Sequence, residues 1–196
     1  MTDPRISAPS ALRNRGPILE VLRAHLPKSG TLLEIASGTG EHVSHFAAHL
    51  PGWRFQPSDP DAERRASIDA WAAGLANVAP AIDLDVTGVW PALRADAVLC
   101  VNMIHIAPWA ATPGLMRGAA ATGAGVLITY GPYIREGVAT AEGNLAFDAD
   151  LRARDPSWGL RSVEDVAREA ALVGFAAPLI VEMPANNLCL VFRRAG

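Results

Sequence analysis

Residues 32–42, LLEIASGTGEH, join an apolar strand, a pair of glycines and a helix start in one short stretch. Gly38 and Gly40 allow a sharp backbone turn and a close approach to a ligand, and amides at the following helix start then face that ligand. Dinucleotide-binding domains use this device with the longer G-x-G-x-x-G pattern. Its third glycine position is Val43 here, which weakens a pyrophosphate reading. Asp59 ends a second predicted strand about twenty residues after Gly40, where an acid accepts hydrogen bonds from ribose hydroxyls. Asp85 ends a third predicted strand, and Asn102 a fourth, at the carboxyl edge where open α/β sheets bind ligands. Each feature alone is ordinary loop chemistry; their common register is what points to a ligand site.

A second set of residues could serve an acceptor molecule. His105 follows the fourth predicted strand and has the residue type for a general base near neutral pH, or is a packed structural histidine. Tyr130 and Tyr133 flank Gly131 and Pro132 after the fifth strand, placed to hydrogen-bond an acceptor or simply to pack. Trp109 and Trp158 are candidate walls. Arg152 could fork onto a carboxylate, or with Arg154 form a solvated helix face. Asn186 and Asn187 occupy a tight turn, and Arg13 and Asn14 stand where they could close over a cofactor. His42, His45 and His49 share a helical face, yet no carboxylate or cysteine completes a metal set, so no metal is expected.

The elements that position these groups alternate short apolar runs with helical stretches, as expected of βα units on a parallel sheet. Residues 17–26 read as a helix with Pro17 in its first turn. Strands are expected over 31–37, 53–59, 81–86, 96–104 and 125–130, with helices over 41–49, 67–77 and 109–121. Residues 177–183 and 188–194 are two more strands joined by only four residues, PANN, which implies an antiparallel hairpin. Between them and the fifth strand lies 131–162, too long for a tight connection and so expected to be a lid or substrate insert with a helical middle. Ser162 and Asp165 form a capping pattern for the next helix.

With 196 residues, half of them apolar and 19% charged, the chain is expected to fold as one domain with a substantial core. A net charge of −3 without a basic stripe argues against nucleic acid. Residues 97–116 and 118–134 carry no charge, but Pro108 and Pro113 interrupt the first as a membrane helix. Cys100 and Cys189 each sit in an apolar run and read as buried thiols of a cytoplasmic protein without a membrane anchor.

The segment from Glu34 to Gly40, E-x-x-x-G-x-G, resembles the first motif of class I S-adenosylmethionine-dependent methyltransferases. The terminal hairpin also resembles that sheet, whose last strand inserts antiparallel. NRGPILEVL (14–22), LEIASGTGEH (33–42), QPSD (56–59), SIDAW (67–71), VNMIHIAPWAAT (101–112), YGPY (130–133), RDPSWGLR (154–161) and MPANNLCLVFRR (183–194) narrow the resemblance. Together they are similar to a small methyltransferase-like family catalogued as a domain of unknown function (number nine-three-eight). Glu41, where Gln is common, and Tyr133, where another aromatic is expected, are small departures.

The resemblance implies an α/β, Rossmann-like class I methyltransferase fold: a mostly parallel seven-stranded sheet with an antiparallel C-terminal hairpin. It also implies S-adenosylmethionine as cofactor. Glu34, Gly38 and Gly40 would surround its methionine part, and Asp59 its ribose. Asp85 and the Val86 backbone would take the adenine, with Asn102 near the ammonium or sulfonium end. The expected reaction is methyl transfer to a small molecule, preferably to a carboxylate or hydroxyl oxygen, with His105 and Tyr130 as catalytic candidates. Trp109, Tyr133, Arg152, Trp158, Asn186 and Asn187 are substrate candidates. Sulfur or nitrogen acceptors, and a non-catalytic cofactor-binding protein, are the rival readings. Oligomeric state stays open, a homodimer included.

Overall fold

The computed structural model describes residues 3–195. Helix α1 spans Pro9–His25, strand β1 Gly30–Ile35, helix α2 Glu41–His49, strand β2 Trp53–Pro57 and helix α3 Ala62–Trp71. Strand β3 (Ala97–Val101), helix α4 (Ala111–Ala121) and strand β4 (Val126–Gly131) follow. After β4 come the two-residue strand β5 (Tyr133–Ile134), helix α5 (Glu142–Arg154) and the short strand β6 (Arg161–Ser162). Helix α6 (Val163–Ala171) and strands β7 (Leu179–Met183) and β8 (Asn187–Arg193) complete the order.

The main sheet has six strands in the order β2-β1-β3-β4-β8-β7. β2, β1, β3 and β4 run parallel, whereas β8 is antiparallel to both β4 and β7. β3, AVLCV, lies near the middle, and an all-apolar run suits a strand covered on both faces. Period-two alternation divides β1 between two cores. Leu32 packs with Ile18, Leu22 and Phe46 of α1 and α2, while Leu33 packs with the cluster holding Leu115, Met116 and Val166 of α4 and α6. Full burial of a side chain such as Phe46 is worth about 1.5–3 kcal/mol.

The seven-stranded expectation is corrected to six, because residues 81–86 form no strand. The chain from 77 to 82 does run along the outer edge of β2, where Phe55 N–H donates to Asn77 O and Ile82 N–H donates to Pro57 O. Between the bridges Phe55–Val78 and Ser58–Ile82, three steps along β2 and the residue after it face four on the outer chain. Pro80 lies in that stretch and has no N–H to offer, so a regular ladder cannot form.

Helix α1 also begins earlier than expected, at Pro9, so Pro17 is interior instead of in the first turn. There it forfeits the bond to the carbonyl of Arg13, four residues back, and its ring crowds that same carbonyl. α3 begins at Ala62 because Asp61 caps it, accepting from Glu63 N–H at 2.7 Å and Arg64 N–H at 3.3 Å. Ser162 caps α6 by accepting from Asp165 N–H at 3.0 Å, the bond its spacing predicts. The two uncharged runs fall largely on β3, α4 and β4, and no helix among the described residues is long and apolar enough to cross a membrane. Cys100 and Cys189 are buried free thiols.

Candidate active site

The carboxyl ends of β1, β3 and β4 open into two adjoining cavities. The larger, a cleft of about 840 Å³, is bordered by Glu34, Gly38, Asp59, Asp85, Val86 and Trp158, among others. The smaller, a chamber of about 490 Å³, is bordered by Tyr130, Asn187 and groups from α1 and α5. Ser10, Asn102 and Ile106 border both, so the cavities meet at these three residues.

The cleft begins where β1 ends. Ala36, Gly38 and Gly40 have φ of 52°, 60° and 92°, so the backbone turns back on itself within five residues. At Gly38 a Cβ would meet nothing closer than Ala36 O at 3.9 Å, which leaves its backbone open toward the cleft. At Gly40 a Cβ would stand 2.6 Å from Ile68 Cα. Gly40 therefore serves the packing of α2 on α3 and does not border the cleft.

Asp59 fixes the loop: its Oδ2 accepts from Gly38 N–H and its Oδ1 from Asp61 N–H, both at 3.0 Å. Its other neighbour in the cleft is Glu34, which is 2% exposed and has no partner for Oε2. Burial, reinforced by the Asp59 charge, pushes the Glu34 carboxyl up to about 8. A buried acid aimed into a cavity and lacking a partner suits a ligand that brings a positive charge or a donor. Asp85 turns on itself, accepting from both Thr87 N–H and Thr87 Oγ1 at 2.8 Å, beside the apolar Leu84 and Val86.

Asn102 ends β3 in the left-handed region with φ 61°, its N–H held by Tyr130 O at 2.8 Å. That turn starts a tight 3₁₀ turn, Met103–His105, which swings His105 inward. The expectation that His105 lines the acceptor pocket is corrected: the residue is fully buried and borders neither the cleft nor the chamber. Its ring packs edge-on against Tyr133 with centroids 4.7 Å apart, and neither ring nitrogen has a partner. Burial, and then the Arg161 charge, holds it down to about 3, so the imidazole is neutral.

Other sequence candidates divide between the cavities and the packing around them. Tyr130 borders the chamber, and burial raises its phenol. Tyr133 is buried outside both cavities and donates to Thr129 Oγ1 at 2.7 Å. Trp158 borders the cleft, while Trp109 stands outside it under the Arg161 guanidinium. Arg152 is held by Asp148 at 2.8 Å, away from both cavities, and Arg154 borders the chamber instead. Asn187 reaches the chamber; Asn186 lies outside it and accepts from Asn144 Nδ2 at 2.9 Å through its carbonyl. Among the described residues, no group of three His, Cys, Asp or Glu is gathered to hold a metal.

Three contributions escaped sequence reasoning. Glu41 Oε2 accepts from Ala8 N–H at 2.7 Å and from Thr39 Oγ1 at 3.1 Å. With Ser67 and Trp71, which bind the Ile6 backbone, it straps residues 6–11 across the glycine loop. His42 borders the cleft and donates from Nε2 to Asn14 Oδ1 at 2.8 Å, linking cleft to chamber wall. Arg161 donates to the carbonyls of Ile104, Ala107 and Ser157, pinning the turn after Asn102. All three depend on long-range contacts that leave no periodic trace, although all three residues stand in quoted motifs.

The chain is similar in fold to solved methyltransferases. It superposes on the mitomycin 7-O-methyltransferase with a TM-score of 0.80 at 17% identity, over 95% of this chain and 54% of that one. A methyltransferase of calicheamicin biosynthesis in its SAH-bound form gives 0.74 at 17% identity, over 93% and 54%. Human N-acetylserotonin methyltransferase in complex with SAM gives 0.74 at 12%, over 95% and 56%. The chain thus spans a little over half the length of these structures, and shares with them a Rossmann-like methyltransferase fold. A family profile described as "Protein of unknown function (DUF938)" matches residues 5–194, and the protein accordingly belongs to that family.

Proposed function

We propose that this chain is an S-adenosylmethionine-dependent methyltransferase that methylates an oxygen of a small molecule. It would do so as one domain, with residues 1–30 and 131–162 shaping the acceptor side. The observation that carries the reading is the junction at Asn102 of two cavities, one offering buried acids and the other neutral and basic groups. When bound, S-adenosylmethionine supplies a methyl group on a sulfonium and is left as S-adenosylhomocysteine. Its fit rests on Glu34, whose unpartnered Oε2 suits the cationic amino-acid end. The Gly38 loop would take the methionine backbone, Asp59 the ribose, and Asp85 with the apolar Val86 and Leu84 the adenine.

The protein's own work is alignment and exclusion of water. The strap 6–11 and Trp158 cover the cleft, while Asn102 and Ile106 stand at the point where donor and acceptor meet. Among the described residues, no carboxylate or free imidazole borders the chamber. The acceptor's proton therefore leaves to water, which favours an oxygen that is already acidic.

Calorimetry with S-adenosylmethionine and S-adenosylhomocysteine tests the cofactor half, and a folded sample that binds neither refutes it. Release of S-adenosylhomocysteine across small acids, phenols, thiols and amines tests the oxygen half. Turnover confined to amines or thiols would refute that half alone, and binding without turnover would favour the non-catalytic reading.

A further inference from the structure

The chamber is built by two helix stripes. Ser10, Arg13 and Asn14 follow i, i+3, i+4 spacing on α1, and Asn144, Phe147, Leu151 and Arg154 follow i, i+3, i+7, i+10 spacing on α5. Residues at these spacings share one face of a helix. Each stripe therefore carries one arginine into the chamber. Arg152, two positions from Arg154, falls off the stripe and pairs with Asp148 instead.

No acidic residue borders the chamber to balance the two guanidiniums. Arg13 makes no ion pair with any described residue, and its charge bears on the nearby Tyr130 hydroxyl. Arg154 has only a loose pair, 3.7 Å from Asp150, and lies over the Trp158 ring with 5.1 Å to the centroid. Its exposure makes that pair weak. The rest of the wall is uncharged: apolar or aromatic groups, chiefly Ile106, Phe147, Leu151 and Tyr130, interspersed with asparagines and Ser10. A cavity of about 490 Å³ with these walls has the size of a small-molecule site.

The lining falls into two sets. Ser10, Asn102 and Ile106 are shared with the cleft, whereas Arg13 and Arg154 border the chamber and not the cleft. A group held by the arginines therefore meets residues other than those at the junction.

We infer that the acceptor is an aromatic carboxylate bearing a phenolic hydroxyl, its carboxylate anchored by Arg13 and Arg154 and its hydroxyl presented at Asn102. The inference rests on the methyltransferase reading for the role of the junction, but the anion site stands on the chamber's own residues. Guanidinium forks recognise carboxylates in bidentate geometry, and aromatic walls accept a ring. A phenol also answers the lack of a base, since it is far more acidic than an alcohol and its proton passes to water. The carboxylate is then a handle and is not itself methylated.

The test is titration calorimetry of 4-hydroxybenzoate and its neutral counterpart 4-hydroxybenzamide, each with and without saturating S-adenosylhomocysteine. The acid should bind at least about tenfold tighter than the amide, the loss expected for one charge-assisted contact. Arg13→Gln and Arg154→Gln should each weaken the acid about tenfold, leave the amide unchanged, and leave S-adenosylhomocysteine affinity unchanged. Arg152→Gln should change none of these. Equal affinity for acid and amide, indifference to both arginine variants, or no binding of the acid overturns the proposal. Failure to bind S-adenosylhomocysteine, with carboxylate binding intact, would instead strike at the methyltransferase reading.

Discussion

Glu41 accepts the Ala8 backbone N–H at 2.7 Å, which ties the start of the chain to the first turn of the helix after the glycine loop. Glu41 is 1% exposed, and Ala8, Ser10 and Ala11 border the cleft, so this contact shapes a wall of the site. Glu41→Ala should cost about 1–2 kcal/mol through lost bonds to Ala8 and Thr39. Amide hydrogen exchange over residues 6–11 should accelerate well before that of β3. Unchanged protection there would mean that Ser67 and Trp71 hold the strap unaided.

Three buried titratable groups predict how stability varies with pH. His105 and His42 are held down to about 3 and about 4 from 6.5, chiefly by burial. The unfolded chain binds more protons than the folded one between those values and 6.5, so stability rises with pH across that window and levels off above it. Glu34 is raised from 4.5 to about 8, so the folded state holds the extra proton and stability falls as pH climbs from 4.5 to about 8. Below 6.5 the histidines, His45 included, outweigh the raised carboxyls Glu34 and Asp59, and above it Glu34 dominates until the buried thiols join near 9. Denaturant unfolding at graded pH should thus show a maximum near 6.5. Glu34→Gln should abolish the decline between about pH 6.5 and 8, leaving the one above 9 that the buried thiols Cys100 and Cys189 cause.

The same carboxyl links protonation to ligand binding, if the cofactor is as proposed. A cation placed beside Glu34 favours its ionised form. Binding of S-adenosylmethionine at pH 7 should then release a proton from the wild-type protein and not from Glu34→Gln. Binding heats compared in two buffers of different ionisation enthalpy measure that proton. Equal proton release from both proteins would remove Glu34 from the cationic end of the ligand.

Gly38 and Gly40 should separate cleanly under substitution. Gly40→Ala drives a Cβ to 2.6 Å from the Ile68 backbone at φ 92°, and should cost about 3 kcal/mol or more. Gly38→Ala meets open space and pays only for its left-handed backbone, about 1–2 kcal/mol. Thermal unfolding should therefore rank Gly40→Ala as the more damaging. Gly38→Ala should be the one that lowers S-adenosylmethionine affinity in a folded protein.

Much of this was legible in residue patterns. The apolar run of β3, the glycine turn after β1, the Ser162 cap and the PANN hairpin each depend on neighbours in sequence, and all four are found. Residues 81–86 failed because alternating apolar residues were read as a strand, while Pro80 and the slipped register beside β2 prevented a ladder. His105 misled for another reason: placing it in the pocket required extending β3 straight through 102. The left-handed Asn102 instead turns the next residues inward, and one sequence does not announce that an asparagine will take φ 61°. Arg154 was visible as a neighbour of Arg152, and the 144/147/151/154 stripe would have distinguished them.

The shared border at Asn102 has a thermodynamic consequence. Its backbone is pinned by Tyr130, so a ligand on either side can recruit only the one side-chain amide. Occupants of the two cavities that both engage that amide must help or hinder one another by the same factor, whichever arrives first. An asparagine between two rooms makes their affinities a single coupled quantity, readable as the ratio of acceptor dissociation constants with the cleft filled and empty.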